Sequence, residues 1–491
     1  MKRYILIVTG LLFLSAGFLK AQNEVDALRY SQTFPVGTSR SLGLGGAIGA
    51  VGGDFTSLSV NPGGIGLYRG SEMTFSPALY WNNTTSDYLG NSYTEEKYNF
   101  NLGNFGFIFN NKTGKEKGWI STNFGFGYNR LNNFHKEIFM GGIQNSSSYL
   151  DNFVYYADDL PAEDLDPFYE QLAWDTYMID WDENNNEYFN DFADAGYGQV
   201  QERTIKTRGS LGEYLLSFGA NYNHRVYIGA TVGINRVNFE QTVIHFENDP
   251  QNMIGFTQSF TFEEYLSTKG TGYNLKLGAI VRPTNFLRLG ASFHLPTFYY
   301  LEDEFENTME AYIDAENLNP DDGIENPMFA SSGLMDYRYR LRTPAKAIGS
   351  AAITFGKLGL LSVDYEFINY QNSDLSANDY NFRTENEDIE NVYQATHNLR
   401  VGGELRMGSV YFRGGYAYYS SPFATSQGDV NSNRNVLSAG IGVRNQFFFL
   451  DAGYRYSTHQ DNYYLYLPPV DEPAINTSNS NTVQVTFGFR F

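Results

Sequence analysis

The chain is predicted to be all-β, a transmembrane antiparallel β-barrel of about 14 strands with an N-terminal hatch inside the lumen. Its last ten residues put Val483, Val485, Phe487, Phe489 and Phe491 on one face and Thr482, Gln484, Thr486, Gly488 and Arg490 on the other. A strand of about ten residues with one apolar face crosses a hydrocarbon layer at a tilt. Inside that layer its backbone needs hydrogen-bonding neighbours on both sides, so the sheet must close. The composition agrees: 38 Tyr, 39 Phe and 49 Gly among 491 residues suit walls that face lipid on one side and water on the other.

Met1 to Ala21 has a basic start (Lys2, Arg3), an apolar run from Tyr4 to Leu19 and a small residue at its end, the pattern of a secretory signal peptide over 1–21. The run is short for a membrane anchor. Export together with a barrel pattern predicts a multi-pass protein of the bacterial outer membrane, with outer-membrane lipid and lipopolysaccharide as its surroundings. There is no cysteine, which excludes disulfides, thiolate metal sites and lipid attachment at a processed Cys. Lys and Arg number 34 against 55 Asp and Glu, a net charge of −21, so nucleic acid is not a partner.

Candidate strands lie near 72–82, 100–110, 118–130, 212–223, 226–246, 257–282, 285–301, 334–356, 358–371, 395–407, 409–421, 434–445, 447–460 and 482–491. The period of two is clear where Tyr214, Leu216, Phe218, Ala220 and Tyr222 oppose Ser217, Gly219, Asn221 and Asn223. Short hinges at Asn223–His224, Pro283–Thr284, Gly356–Lys357, Met407–Gly408, Asn445–Gln446 and 110–118 alternate with long polar loops. Those loops are 83–99, 131–211 (the longest), 247–256, 302–333, 372–394, 422–433 and 461–481. Short turns on one side and long loops on the other give an even strand count with both barrel ends in the periplasm. The terminal Phe491, with Phe489, reads as an assembly signal for the barrel-insertion machinery.

Residues 22–71 precede the barrel domain, 72–491, and contain no run long enough for a wall strand. They are rich in glycine (Gly43, Gly45, Gly46, Gly49, Gly52, Gly53), followed by Asp54 and then Asn61, Pro62, Gly63 and Gly64. Glycines permit close-packed backbone, and Asn-Pro fixes a turn. A lumen too wide for its own side chains to fill leaves room for such a segment as a plug; a flexible tail is the other reading.

The stretch SLGLGGAIGAVGGDFTSLSVNPGGIGLY, Ser41 to Tyr68, resembles the N-terminal hatch of the FadL/TodX family of outer-membrane hydrophobic-compound transporters. Asn61 and Pro62 align with the family's Asn-Pro-Ala turn, and Gly63 stands in place of its alanine. HLPTF at His294–Phe298 and LRTPAKAIGSAAITFG at Leu341–Gly356 resemble the family's Leu-Pro and Thr-Pro strand segments. The resemblance implies passive transport of long-chain fatty acids or aromatic, apolar compounds. The ligand enters among extracellular loops, occupies a lumen pocket and leaves sideways through the wall when the hatch shifts. The ligand-binding residues are not legible, and haem is an open cargo.

A structural or adhesive outer-membrane barrel, or a porin with no hydrophobic ligand, would show the same wall. The aromatics of the long loop (Phe153, Tyr155, Tyr156, Phe168, Tyr169, Trp174, Tyr177, Trp181) form either a ligand cap or the loop's own core beneath an acidic surface. Asp180, Asp182, Asn184, Asn186 and Asp191 approach a calcium-loop spacing, but Asn185 stands where glycine is needed and Asp191 is shorter than the usual glutamate. No metal site or cofactor is assigned, and calcium at loop 151–196 stays open. Six scattered histidines and no nucleophile motif predict that the chain is not an enzyme.

Overall fold

Alternating side chains build one antiparallel sheet in the computed structural model, which describes residues 23–250, 256–314, 326–424, 432–468 and 472–491. The expected signal peptide lies outside these residues. The strands are β1 (Glu72–Tyr88), β2 (Asn91–Lys112), β3 (Trp119–Asn133), β4 (Lys136–Ile143), a small hairpin of β5 (Asp180–Asp182) and β6 (Glu187–Phe189), β7 (Val200–Tyr222), β8 (Val226–Asn248) and β9 (Thr257–Val281). They continue as β10 (Leu287–His294), β11 (Phe298–Ile313), β12 (Met328–Ser331), β13 (Met335–Arg342), β14 (Lys346–Thr354), β15 (Gly359–Asn369), β16 (Asp374–Ser376), β17 (Ala395–Met407), β18 (Val410–Tyr419), β19 (Arg434–Arg444), β20 (Phe448–Tyr463) and β21 (Ala474–Arg490).

Nineteen of these join one sheet, and several are consecutive pieces of one wall strand, so the wall has 14 strands. The first strand pairs with the last, Glu72 opposite Arg490 and Asp87 opposite Ile475, which closes the barrel. The short hinges share one end: Gly118 N donates to Asn223 Oδ1, and Ser71 N donates to the carbonyl of Phe491 beside them. Asn223 and His224 both take positive φ, which the two-residue hinge requires.

Three sequence expectations are corrected. The loop expected over 83–99 is a continuation of β1 and β2 with Leu89–Gly90 as its turn. These strands run past the lipid, where the outward face no longer has to be apolar, so the alternation that marks a membrane strand disappears. For the same reason the longest loop is 144–199 rather than 131–211, since β4 and the first half of β7 pair within it. The expected strands 285–301 and 334–356 are each broken, at Leu295–Thr297 and Thr343–Ala345, where Pro296 and Pro344 supply no N–H. The breaks face one another and are closed by Thr297 N donating to Thr343 Oγ1 and Thr343 N to the Thr297 carbonyl, both 3.0 Å.

The outward face is apolar and the inward face polar. Tyr214, Leu216, Phe218 and Tyr222 are exposed, whereas Ser217, Asn221, Gln484, Thr486 and Asp451 are buried in the lumen. Trp119, Tyr222, Phe286, Phe355 and Phe447 ring the short-turn end, and Phe100, Tyr214, Tyr273 and Phe298 form a second ring above them. From Val281 to Tyr273 the rise is about 20 Å at ~3.3 Å per residue and a ~40° tilt. That spacing is close to the apolar band of a transmembrane barrel.

Replacing outward-facing Leu216, 52% exposed between the two rings, with Arg is expected to cost about 2–4 kcal/mol. Urea unfolding of the barrel in lipid vesicles measures it.

Candidate functional site

The segment from Asn23 to Gly70 lies inside the barrel, and its local sequence explains its path. Helix α1 (Glu24–Ser31) starts at Asn23, whose side chain accepts from Val25 N, and buries Ala27, Leu28 and Tyr30 against the upper wall residues Phe239, Leu301 and Tyr339 and against Tyr393 of the loop before β17. An extended arm follows, then α2 (Ser39–Gly43), capped by Thr38, and α3 (Ser57–Val60). Asp54 organises the turn between them: Thr38 Oγ1 donates to both its oxygens at 2.8 Å and Thr56 N to one at 3.0 Å.

The Asn-Pro-Gly turn seats the segment on the wall. Asn61 Nδ2 donates to the carbonyls of Gly49 (2.7 Å) and Ala279 (3.2 Å), and Asn61 Oδ1 accepts from Gly63 N at 3.0 Å. Pro62 opens a short 3₁₀ turn through Leu67. A Cβ on Gly63 would fall 2.8 Å from Ala279 Cα, so the chain approaches β9 more closely than alanine allows. This accounts for Gly63 where the resembled family has Ala. Next to it, Ser292 Oγ and His294 Nε2 meet the carbonyl of Val60 at 2.8 and 2.9 Å.

A buried ionic chain holds the other side. Arg40 engages Glu404 through Nε (3.0 Å) and Nη2 (3.2 Å); Arg413 bridges Glu404 to Asp451, both at 2.7 Å; Arg444 reaches Asp451 at 2.7 Å. The forked guanidinium matches the carboxylate with two parallel bonds, and in a lumen screened from water each charge needs its partner. Nothing in the one-dimensional sequence marks Arg40 and Glu404 as a pair.

Above this floor lies a cavity of about 440 Å³, bounded by α1, the arm and the upper wall. One side is apolar, with Leu28, Phe134, Ile138, Ile205 and Phe239; the other carries Arg434 and Arg455. Both arginines converge on Phe34 of the arm: Arg434 lies 4.5 Å over its ring and Arg455 Nη1 donates to its carbonyl at 3.5 Å. Among the described residues neither has a carboxylate within ion-pair distance.

The cavity also reaches a break in the wall. Strands β2 and β3 pair only from Asn104↔Asn129 downward to Lys112↔Ser121. Above that level β2 pairs with β1 alone, and β3 and β4 pair with β7 alone. The seam between them is spanned by side chains: Asn99 with His135 (3.0 Å) and Asn133 (3.1 Å), Lys97 with Glu137 (3.0 Å), and Arg130 Nε to the Leu102 carbonyl (3.2 Å). From inside, the arm takes the vacated edge, Phe34 N donating to the Leu131 carbonyl at 2.7 Å and Val36 N to that of Arg130 at 3.3 Å. Asn101, Arg130, Asn133 and His135 line both seam and cavity.

The long loop folds over the top as α4 (Tyr149–Ala157), α5 (Glu170–Asp175), the β5–β6 hairpin and α6 (Asp191–Ala195). Phe153 and Phe168 are buried, Phe153 in a core with Leu172, Phe192 and wall residues Phe260 and Phe262, whereas Tyr155, Tyr156 and Tyr177 point outward. The aromatics thus divide between a core and an exposed surface. Asp182 accepts from Asn184 N, while Asp191 accepts from Thr257, so the carboxylates of the calcium-like spacing turn to separate partners. Among the described residues no three His, Asp or Glu side chains are grouped to hold a metal ion. A buried node fastens the cap: Glu247 accepts from Ser148 Oγ (2.6 Å), Tyr149 N (2.8 Å), Gln201 Nε2 (2.8 Å) and His245 Nε2 (2.9 Å).

The described residues thus form a closed barrel with a folded N-terminal segment in its lumen and a cavity above it. Among solved structures the chain is similar to a FadL homologue of Pseudomonas aeruginosa (15% identity, TM-score 0.52, covering 94% of this chain and 100% of that one). It is also similar to CymD, a monoaromatic hydrocarbon channel (10%, 0.51, 94% and 98%), and to the toluene transporter TodX of Pseudomonas putida (10%, 0.51, 94% and 100%). The chain has the fold of these FadL/TodX barrels. No protein-family model matches the sequence, and no curated protein matches it.

Two outcomes are expected. Arg40→Ala leaves Glu404 short of one partner and weakens seating of the segment by on the order of 3 kcal/mol, so single-channel recordings show more frequent openings than in the parent. Burial lowers the His245 pKa from 6.5, and at Glu247 burial is outweighed by hydrogen bonds from His245, Ser148 and Tyr149 that hold it below 4.5. A depressed folded pKa contributes stability that is present above the unfolded value and lost as pH falls through the folded one. Acidification from pH 6.5 to below 4.5 therefore loosens the cap. Red-shifted emission from Trp174 and Trp181, with Trp81 and Trp119 replaced by Phe, reports it.

Proposed function

We propose that this barrel carries apolar or amphipathic small molecules across the bacterial outer membrane down their gradient, with the N-terminal segment as a hatch and sideways release through the β2–β4 seam. The observation that carries the reading is the coincidence of three features: a floor fastened to the wall, a partly apolar cavity directly above it, and a wall with no backbone ladder where the cavity touches it. In a barrel wall every N–H and C=O needs a protein partner, so neighbouring strands separate most readily at a seam held by side chains. It begins eight residues above the lower end of the β2–β3 ladder, about 20 Å up, at the level of the upper aromatic ring. A ligand leaving there passes from an apolar pocket into lipid without crossing water.

The cavity's composition favours an amphipathic ligand over a purely apolar one. Arg434 and Arg455 offer charge-assisted donors to a polar or anionic head, while Phe134, Ile138 and Phe239 accept an apolar body. The fold similarity to the P. aeruginosa FadL homologue and to TodX and CymD supports transport of hydrophobic compounds in general. It does not select the ligand. Export by the signal peptide and assembly through the terminal Phe489 and Phe491 belong to the same reading, which makes outer-membrane lipid and the barrel-insertion machinery the partners.

The chain lacks cysteine, so a pair introduced at Asn99→Cys and Asn133→Cys reacts selectively with a short bis-thiol crosslinker. Joined across the seam, the barrel is expected to lose uptake of a fluorescent long-chain amphiphile into proteoliposomes, and singly modified controls to keep it. Equal uptake in the crosslinked protein refutes release through this seam.

A further inference from the structure

We propose that the outer wall of β8, β9, β11 and β13 carries a binding site for the phosphate groups of lipopolysaccharide in the outer leaflet. The inference goes beyond transport and rests on the outer-membrane reading only for the identity of the leaflet.

The register places the residues. Tyr273 faces Phe298, and Phe298 faces Arg342, in a row at the level of the upper aromatic ring. One pleat above, Arg236, Thr271, Tyr300 and Arg340 follow one another across the four strands. One pleat higher come Asn238, Lys269, Glu302 and Arg338. All five cations point outward and are exposed, Arg338 and Lys269 with 74% and 63% of their side chains in solvent.

Two have no carboxylate partner among the described residues: Arg236 donates to Thr271 Oγ1 and Arg340 to Asn378 Oδ1 at 2.6 Å, while Arg342 forms a long ion pair with Asp374 at 3.9 Å. Lys269 and Arg338 pair with Glu304 and Glu302, but exposed pairs of this kind contribute little and exchange easily.

Height and chemistry then point to one partner. The Arg236–Arg340 row sits two residues above the aromatic ring, about 5 Å higher and so at headgroup level. It is on the long-loop side, which faces the outer leaflet. At comparable height elsewhere on the wall the outward positions carry Tyr98, His397 and Asn435. In a chain of net charge −21, cations gathered in one sector need an anionic counterpart, and guanidinium forks match phosphate oxygens. The row spans three interstrand spacings, about 14 Å, wide enough for one glycolipid headgroup.

The test is native mass spectrometry of the purified full chain with added lipid A, lipid A stripped of phosphate, or phosphatidylglycerol, compared with R236Q/R340Q/R342Q. These residues are outside the lumen, so the variant barrel folds and keeps heat-modifiable migration. Wild type is expected to retain phosphorylated lipid A at least about tenfold more tightly than the variant, and more tightly than either other lipid. Equal retention by wild type and variant, or by phosphatidylglycerol and lipid A, overturns the proposal. Density-gradient fractionation checks the underlying reading separately: a chain absent from the outer-membrane fraction overturns the localisation itself.

Discussion

Backbone polarity inside lipid governs this molecule. Each wall N–H and C=O must be paired within the protein, and the chain meets that demand by joining β21 to β1 and by laying every strand antiparallel to its neighbours. Exceptions are therefore informative. At Pro296 and Pro344 the break is mended by reciprocal bonds between Thr297 and Thr343. Above Asn104 and Asn129 it is not mended by the wall at all, and the edge of β3 is taken by a segment from the lumen. There the wall borrows its backbone partner from Phe34 and Val36 of the N-terminal segment.

The same constraint explains what could be read in advance. Inside the hydrocarbon the side chains must alternate, so Tyr214 to Tyr222 and Val483 to Phe491 announce both a strand and its lipid face. Hinges such as Asn223–His224 announce themselves by residue type. Once β1 and β2 rise above the lipid, Thr84, Ser86, Glu95 and Lys97 can face outward or inward without penalty, and the strand signal fades. Loop 144–199 is illegible for another reason: its core is completed by Phe260, Phe262 and Met309 from distant wall strands, so no local period encodes it.

The candidate site was legible only as a backbone motif. Asn61, Pro62 and Gly63 carry local turn chemistry, and Asp54 is the acidic member of a glycine-rich run, so their sequence stands out. The pairs that fasten the segment, Arg40 with Glu404 and Asn61 with Ala279, join residues hundreds of positions apart, as do Phe34 with Arg434 and Arg455. Such contacts exist only after the barrel has closed. Charge is sorted in the same step: Arg40, Arg413, Arg434 and Arg455 lie in the lumen, where they seat the N-terminal segment and face the cavity.

The central claim is that an apolar or amphipathic ligand occupies the cavity above the N-terminal segment and leaves through the β2–β4 seam. Photolabelling of the reconstituted full chain with a diazirine-bearing long-chain alcohol, followed by peptide mapping, tests it most directly. The account predicts saturable labels on Phe34, Phe134 and Phe239 in the cavity and on residues 98–103 and 133–139 at the seam, competed by unlabelled alcohol. Labels spread evenly over the lipid-facing rings, with none in the cavity and no competition, would contradict it.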